Sequence, residues 1–138
     1  MRFFIDENSH RNIGPLLQQI YPAHEYANVA DECLGGYEDL ALFPELARRG
    51  FDAIITNDRQ QLRNSAERDA LITSRLHWIG HTRVNVAGPA GVALTVSGVI
   101  AGFPFVLAQL SACPAQLTAF DIKAVPISPG QRVKISLL

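Results

Sequence analysis

The sequence predicts an α/β fold with a mainly parallel central sheet, followed by a long apolar helix and a C-terminal β-hairpin. Three observations carry this. Phe3-Phe4-Ile5, Ala53-Ile54-Ile55-Thr56 and Leu76-His77-Trp78-Ile79-Gly80 are short, continuously apolar runs, as strands covered on both faces require. Stretches of helical spacing stand between them, which is the alternation of parallel strands joined by crossovers. No linker, repeat or low-complexity segment divides the 138 residues, so 1–138 reads as a single domain.

The elements follow in order. Phe3–Ile5 is the first strand, and Ser9 is placed to cap a helix running to about Ile20, although Gly14 and Pro15 blur its start. His24–Val29 reads as the second strand. After the Gly35-Gly36 loop, Tyr37–Arg49 reads as a helix with Leu42, Phe43 and Leu46 on one side; Pro44 should kink or restart it, and Gly50 ends it. Ala53–Thr56 is the third strand, Asn64–Ser74 a helix, and Leu76–Gly80 the fourth strand. Right-handed crossovers would place the helices on both faces of the sheet. The tail suggests strands at Leu117–Val125 and Val133–Leu137 around a turn at Ser128-Pro129-Gly130.

Hydrophobic residues make up 48% of the chain and charged residues 18%, which excludes intrinsic disorder. Twelve Lys+Arg against thirteen Asp+Glu exclude a general polycation, so any nucleic acid must be held by local charge or by metal ions. Cys33 and Cys113 are too few for a disulfide framework or a zinc site. Asp6 and Glu7 interrupt the first apolar run, so no secretory signal fits, and a cytoplasmic protein with reduced thiols is expected. From Val84 to Phe120 there is no charged residue. Pro89, Pro104, Gly91, Gly98 and Gly102 interrupt this stretch, and Arg83 alone flanks it, so it reads as a buried or interface helix rather than a membrane span.

The acids fall where chemistry would need them. Asp6 stands one residue past the first strand and Asp58 two past the third, and residues just beyond the carboxyl ends of parallel strands meet in a ligand-binding crevice. Two carboxylates held close repel unless a proton or a cation lies between them. Oxygen ligands without Cys or His favour Mg²⁺ or Mn²⁺. Asp39 and Glu67 extend the set. Each of the four also reads as an ordinary first-turn acid, and Asn64-Ser65-Ala66-Glu67 fits a capping box.

Phe3-Phe4-Ile5-Asp6-Glu7-Asn8 resembles the opening of PIN-like nuclease domains. The run from Asp39 to Gly50, with its interrupting Pro44, Ile54-Ile55-Thr56-Asn57-Asp58-Arg59, and Glu67-Arg68 resemble, in order and spacing, the later elements of the VapC-type toxin subgroup. The similarity covers residues 1–82; residues 83–138, with the apolar helix and the hairpin, are an elaboration. The resemblance implies a PIN-like three-layer sandwich. It implies an endoribonuclease, the toxin of a toxin–antitoxin pair, in which Asp6, Asp39, Asp58 and Glu67 are catalytic and hold Mg²⁺ or Mn²⁺. Asn8, Arg11, Asn57, Arg59 and Arg63 lie close enough in sequence to the acids to contact RNA phosphates. Thr56 is placed to hold Asp58, and Trp78 belongs to the core. The expected partners are RNA, a cognate antitoxin protein and a second copy in a homodimer, with no membrane.

Two other readings compete. A PIN-like scaffold without catalysis, acting as a protein-interaction module, would use the uncharged segment as its docking face. A phosphoacceptor domain would share the strand-end acids but needs a Lys after a late strand, whereas Lys123 and Lys134 fall in the expected hairpin.

Overall fold

In the computed structural model, which describes residues 1–125, five strands form one sheet in the order β2-β1-β3-β4-β5. They are β1 (Arg2–Ile5), β2 (Glu25–Asn28), β3 (Ala53–Thr56), β4 (His77–His81) and β5 (Ala119–Ile122), and every pairing is parallel. The helices are α1 (Ile13–Ile20), α2 (Val29–Glu32), α3 (Asp39–Arg48), α4 (Gln60–Arg63), α5 (Ser65–Thr73) and α6 (Gly88–Ala112).

Strand alternation sorts the core into two layers. Phe3, Ile5, Ala53, Ile55 and Ile79 point to one face, where α1 and α6 cover them with Ile13, Leu17, Val99 and Phe103. Phe4, Ile54 and Trp78 point to the other, against Leu42, Phe43 and Leu46 of α3 and Leu71 of α5. The result is the expected three-layer sandwich. Phe103 is fully buried, with ring centroids 5.2 Å from Phe3 and 5.6 Å from Tyr21. Burial of such a side chain contributes about 2–3 kcal/mol.

Several local expectations need correction. Ser9 does not cap α1: the helix begins at Ile13 with Asn12 as its N-cap, and the Ser9 hydroxyl turns inward. Gly14 and Pro15 then fall in the first turn, where a missing N–H costs nothing. The second expected helix, Tyr37–Arg49, is shorter, starting at Asp39, and runs unbroken past Pro44. Pro44 lies on its exposed side, so water can serve the carbonyl that lost its donor. Two one-turn helices, α2 and α4, have no counterpart in the sequence reading. Asn28 caps α2, accepting from the N–H groups of Ala30 and Asp31.

The largest correction concerns the C-terminal half. The first arm of the expected hairpin is β5, paired parallel to β4 at the sheet edge, with Trp78 opposite Ala119 and His81 opposite Ile122. The turn and second arm lie outside the described residues. The apolar segment is therefore the β4–β5 crossover. It is long and apolar enough to cross a membrane by length and composition, yet Val96, Val99, Phe103, Val106 and Leu110 pack on the sheet. Its other side is exposed, with Phe105 77% accessible.

The crossovers also do not share one hand. α1 and α6 cover the same face, but β1→β2 and β4→β5 step in opposite directions across the sheet, so one of the two is left-handed. α3 and α5 agree with α1, which leaves α6 as the exception to the usual right-handed rule. Eight-residue α1 is too short to cover this face, and α6 supplies the missing layer.

Candidate functional site

The chain steps from β1 to β2 on one side and returns to β3 on the other, which opens a crevice at the carboxyl ends of β1 and β3. Phe4, Ile54 and Trp78 set which face the alternate residues take; Thr56 at the end of β3 and Asp6 just past β1 continue that same face. Asp58 follows after the bend at Asn57.

Asp6 is 5% exposed and firmly held. Its Oδ2 accepts from the Thr56 hydroxyl at 2.7 Å and the Asn8 amide at 3.2 Å; its Oδ1 accepts from the Glu7 N–H at 2.9 Å. The expectation that Thr56 holds Asp58 is correct only through the backbone: Thr56 Oγ1 accepts from the Asp58 N–H at 3.0 Å, while its proton goes to Asp6. One buried hydroxyl thus ties both strand ends together. The Asp58 carboxylate accepts from the Gln60 N–H at 2.8 Å, just before α4, whose N-cap is Arg59.

Asp39 opens α3 and faces the same crevice. A cavity of about 360 Å³ is lined by Asp6, Glu7, Asn8, Glu38, Asp39 and Glu67, with Tyr37 exposed at its wall. Partial burial, more than any other influence, pushes the Asp39 carboxyl up to about 6; the Gln61 amide opposes this, and the charges of Asp6, Glu67 and Asp58 add to it. The other three predicted acids therefore all act on Asp39. Asp58 does not line the cavity, but its charge reaches Asp39. Glu67 lines it while keeping its cap role: Asn64 accepts from the N–H groups of Ala66 and Glu67, and Glu67 Oε1 accepts from the Asn64 side-chain amide at 2.7 Å. The reciprocal half of a capping box is absent because the Asn64 N–H already donates to Gln60 O.

Among the described residues, no group of three or more His, Cys, Asp or Glu side chains is placed so that it could hold a metal ion. In chemistry, though not in present spacing, the donors suit a hard divalent cation: they are carboxylate oxygens. Burial first, and the charges of Asp6, Glu67 and Asp58 after it, make Asp39 resist ionising, and a cation would offset that cost.

The predicted phosphate contacts divide. Asn8 lines the acidic cavity; Asn57 lines a neighbouring one. Arg59 points to the sheet edge, donating to Asp121 at 2.6 Å and Thr82 Oγ1 at 3.0 Å. Lys123 directly follows β5, correcting its assignment to a hairpin arm, but it too pairs with Asp121 and stays exposed. It is not a group of the acidic crevice, as a phosphoacceptor would need. Arg11 lines a cavity on the α1 side with Tyr26 and Asp31, and Arg63 is exposed at the end of α4; neither lines the acidic cavity.

Sequence reasoning missed Gln61. It is fully buried, donates to Asp39 Oδ1 at 3.0 Å and accepts from Trp78 Nε1 at 3.1 Å, so it anchors Asp39 to the core. Trp78 is core as expected, and its indole N–H adds this second task.

The partial burial of Asp39, reinforced by the neighbouring charges, has a measurable consequence. The folded pKa of Asp39 exceeds its ordinary 3.8, so the fold holds that proton more tightly than the unfolded chain does. Ionised Asp39 therefore subtracts stability above about pH 6, and the loss fades as pH falls toward 4. Asp39→Asn keeps an acceptor for Gln61 and should stabilise the metal-free protein by about 1 kcal/mol at pH 7.5, a figure reduced for solvent screening. Thermal unfolding in chelator should show this gain at pH 7.5 and none at pH 4.

Compared with known families, residues 1–82 match the family model described as a PIN like domain. No curated protein and no solved structure matches the chain.

Proposed function

The chain belongs to the PIN-like domain family, and from that premise we propose that it is a metal-dependent endoribonuclease, the toxin of a toxin–antitoxin pair. The supporting observation is geometric: Asp6, Asp39 and Glu67 line one cavity at the carboxyl ends of β1 and β3, and Thr56 ties Asp58 to Asp6 beside it. Four carboxylates in one crevice cost stability, and a scaffold used only for protein contacts has no need to keep them together.

Asp6, Asp39 and Asp58 would hold one or two Mg²⁺ or Mn²⁺ ions, with Glu67 beside them. When bound, such ions supply positive charge for a phosphate oxygen, acidify water and stabilise the leaving oxygen. The chain's own residues prepare that chemistry. Thr56, Asn8 and the Glu7 N–H fix the Asp6 carboxylate before substrate arrives, so it needs no reorganisation. Gln61 fixes one oxygen of Asp39 and leaves the other for the cavity. Glu67, steadied by Asn64 at the cavity wall, would ligate a second ion or orient water. No side-chain nucleophile is required. The exposed side of α6 is the surface this reading assigns to the antitoxin.

The test is cleavage of single-stranded RNA by the purified protein. Cutting with Mn²⁺ or Mg²⁺ that stops in chelator is the expected result. RNA left intact under all metal conditions would overturn the reading.

A further inference from the structure

The cavity that holds the acids has two unlike walls. Asp6, Asp39 and Glu67 belong to one; Val29, Leu34, Tyr37, Leu40 and Leu42 make the other. The acids account for the first wall, and the second has no part in holding metal.

The approach to α3 builds this apolar wall. The Leu34 carbonyl accepts from the Tyr37 N–H at 3.3 Å, closing a four-residue turn whose third member, Gly36, has φ +80°. A type II turn demands positive φ at that place, and glycine adopts it without strain. The turn delivers Tyr37 to the cavity two residues before Asp39, and Leu40 joins it from the first turn of α3. Leu34 and Leu42 are buried in the core layer beneath α3 and form the floor.

The upper part of the wall is open. Tyr37 is 47% exposed and Leu40 52%. Among the described residues, no aromatic ring packs on Tyr37. Single exposed apolar side chains are ordinary, but a contiguous apolar wall facing carboxylates inside one cavity is a binding surface. Such a cavity suits a ligand of two unlike parts. A nucleotide is one: its base offers a flat, uncharged π face, and its phosphate needs the cation that the acids attract. An apolar peptide side chain would fill the wall and leave the acids unanswered.

We propose that this wall seats one unpaired nucleobase, stacked on Tyr37 and held against Leu40. The proposal rests on the reading of the acids as the place of phosphodiester cleavage, and it adds the residue that selects the nucleotide. In a duplex each base is already paired and stacked, so it reaches Tyr37 only by leaving the helix. Every base has a π face, so the wall selects an unpaired base with little regard to its identity.

The test pairs an uncharged probe with a cleavage assay. Adenosine, which carries no phosphate and needs no metal, is titrated in chelator and followed by amide NMR, with N-acetylleucinamide in parallel. Adenosine should move the Tyr37 and Leu40 amides. Tyr37→Phe should keep that response, and Tyr37→Ala, at an exposed position, should weaken it about ten-fold. With Mn²⁺, Tyr37→Ala should lower kcat/KM for single-stranded RNA about ten-fold, chiefly through KM, and should make no difference when the nucleotide at the cut is abasic. Adenosine that leaves Tyr37 and Leu40 unmoved overturns the base seat even if the parent cuts RNA. N-acetylleucinamide moving them as strongly as adenosine overturns it in favour of a protein partner. Adenosine binding through Tyr37 while Tyr37→Ala keeps the parent's KM for RNA overturns the assignment to the substrate strand. If adenosine binds through Tyr37 but no metal ever supports cleavage, the base seat stands and the nuclease reading alone falls.

Discussion

Asp6→Asn should reduce RNA cleavage by about a thousand-fold or more while the protein remains folded. The loss follows from what the side chain does. Asp6 is the most buried acid of the crevice, and three donors hold its carboxylate in place. An amide of the same shape removes the charge a divalent ion needs and cannot be replaced by movement of a neighbour. The fold survives because Asn keeps an oxygen for Thr56 and because one of four repelling charges disappears. Single-turnover cleavage with Mn²⁺, alongside thermal unfolding in chelator, checks both halves. A variant that cuts at the parent's rate would remove Asp6 from the chemistry.

Gly80→Ala should destabilise the protein by about 3–5 kcal/mol, the scale of losing a large aromatic from a core. Gly80 follows Trp78 on the same face of β4, and the indole lies over it: a Cβ would meet Trp78 ring carbons at 1.9 and 2.3 Å. The backbone cannot give way, since β4 is paired on both edges. The ring must leave its site, and Gln61 then loses the donor that fixes it against Asp39. Because Trp78 is the only tryptophan, its fluorescence reports the event without ambiguity. The expected result is a lower denaturant midpoint with red-shifted native emission. Unchanged midpoint and emission would show that the indole does not depend on the bare Gly80 surface.

The parts of this molecule legible in the sequence are those fixed by local chemistry. Phe3–Ile5 and Ala53–Thr56 announce themselves as buried strands, and an acid just past each end must then reach the same crevice. Asn64 and Glu67 are readable as a cap for the same local reason. What stayed hidden depends on contacts distant in sequence. Gln61 reads as a surface polar residue, and only the packing of Trp78 over Gly80 turns it inward to Asp39. Arg59 looks free beside Asp58 until β5 brings Asp121 within reach. β5 resembles a hairpin arm because the apolar segment before it gives no sign of being a crossover, least of all one of the rarer hand. His81 sits in an apolar strand, and neither its tie to Ser9 nor its unpaired nitrogen has a local signature.

The proposal that Asp6, Asp39, Asp58 and Glu67 together hold a divalent cation is tested most directly by calorimetric titration of Mn²⁺ into the parent protein and Asp6→Asn, without RNA. The parent should bind Mn²⁺, and the variant should bind it at least about a hundred-fold more weakly. Equal binding by the two proteins, or none by the parent, would contradict it.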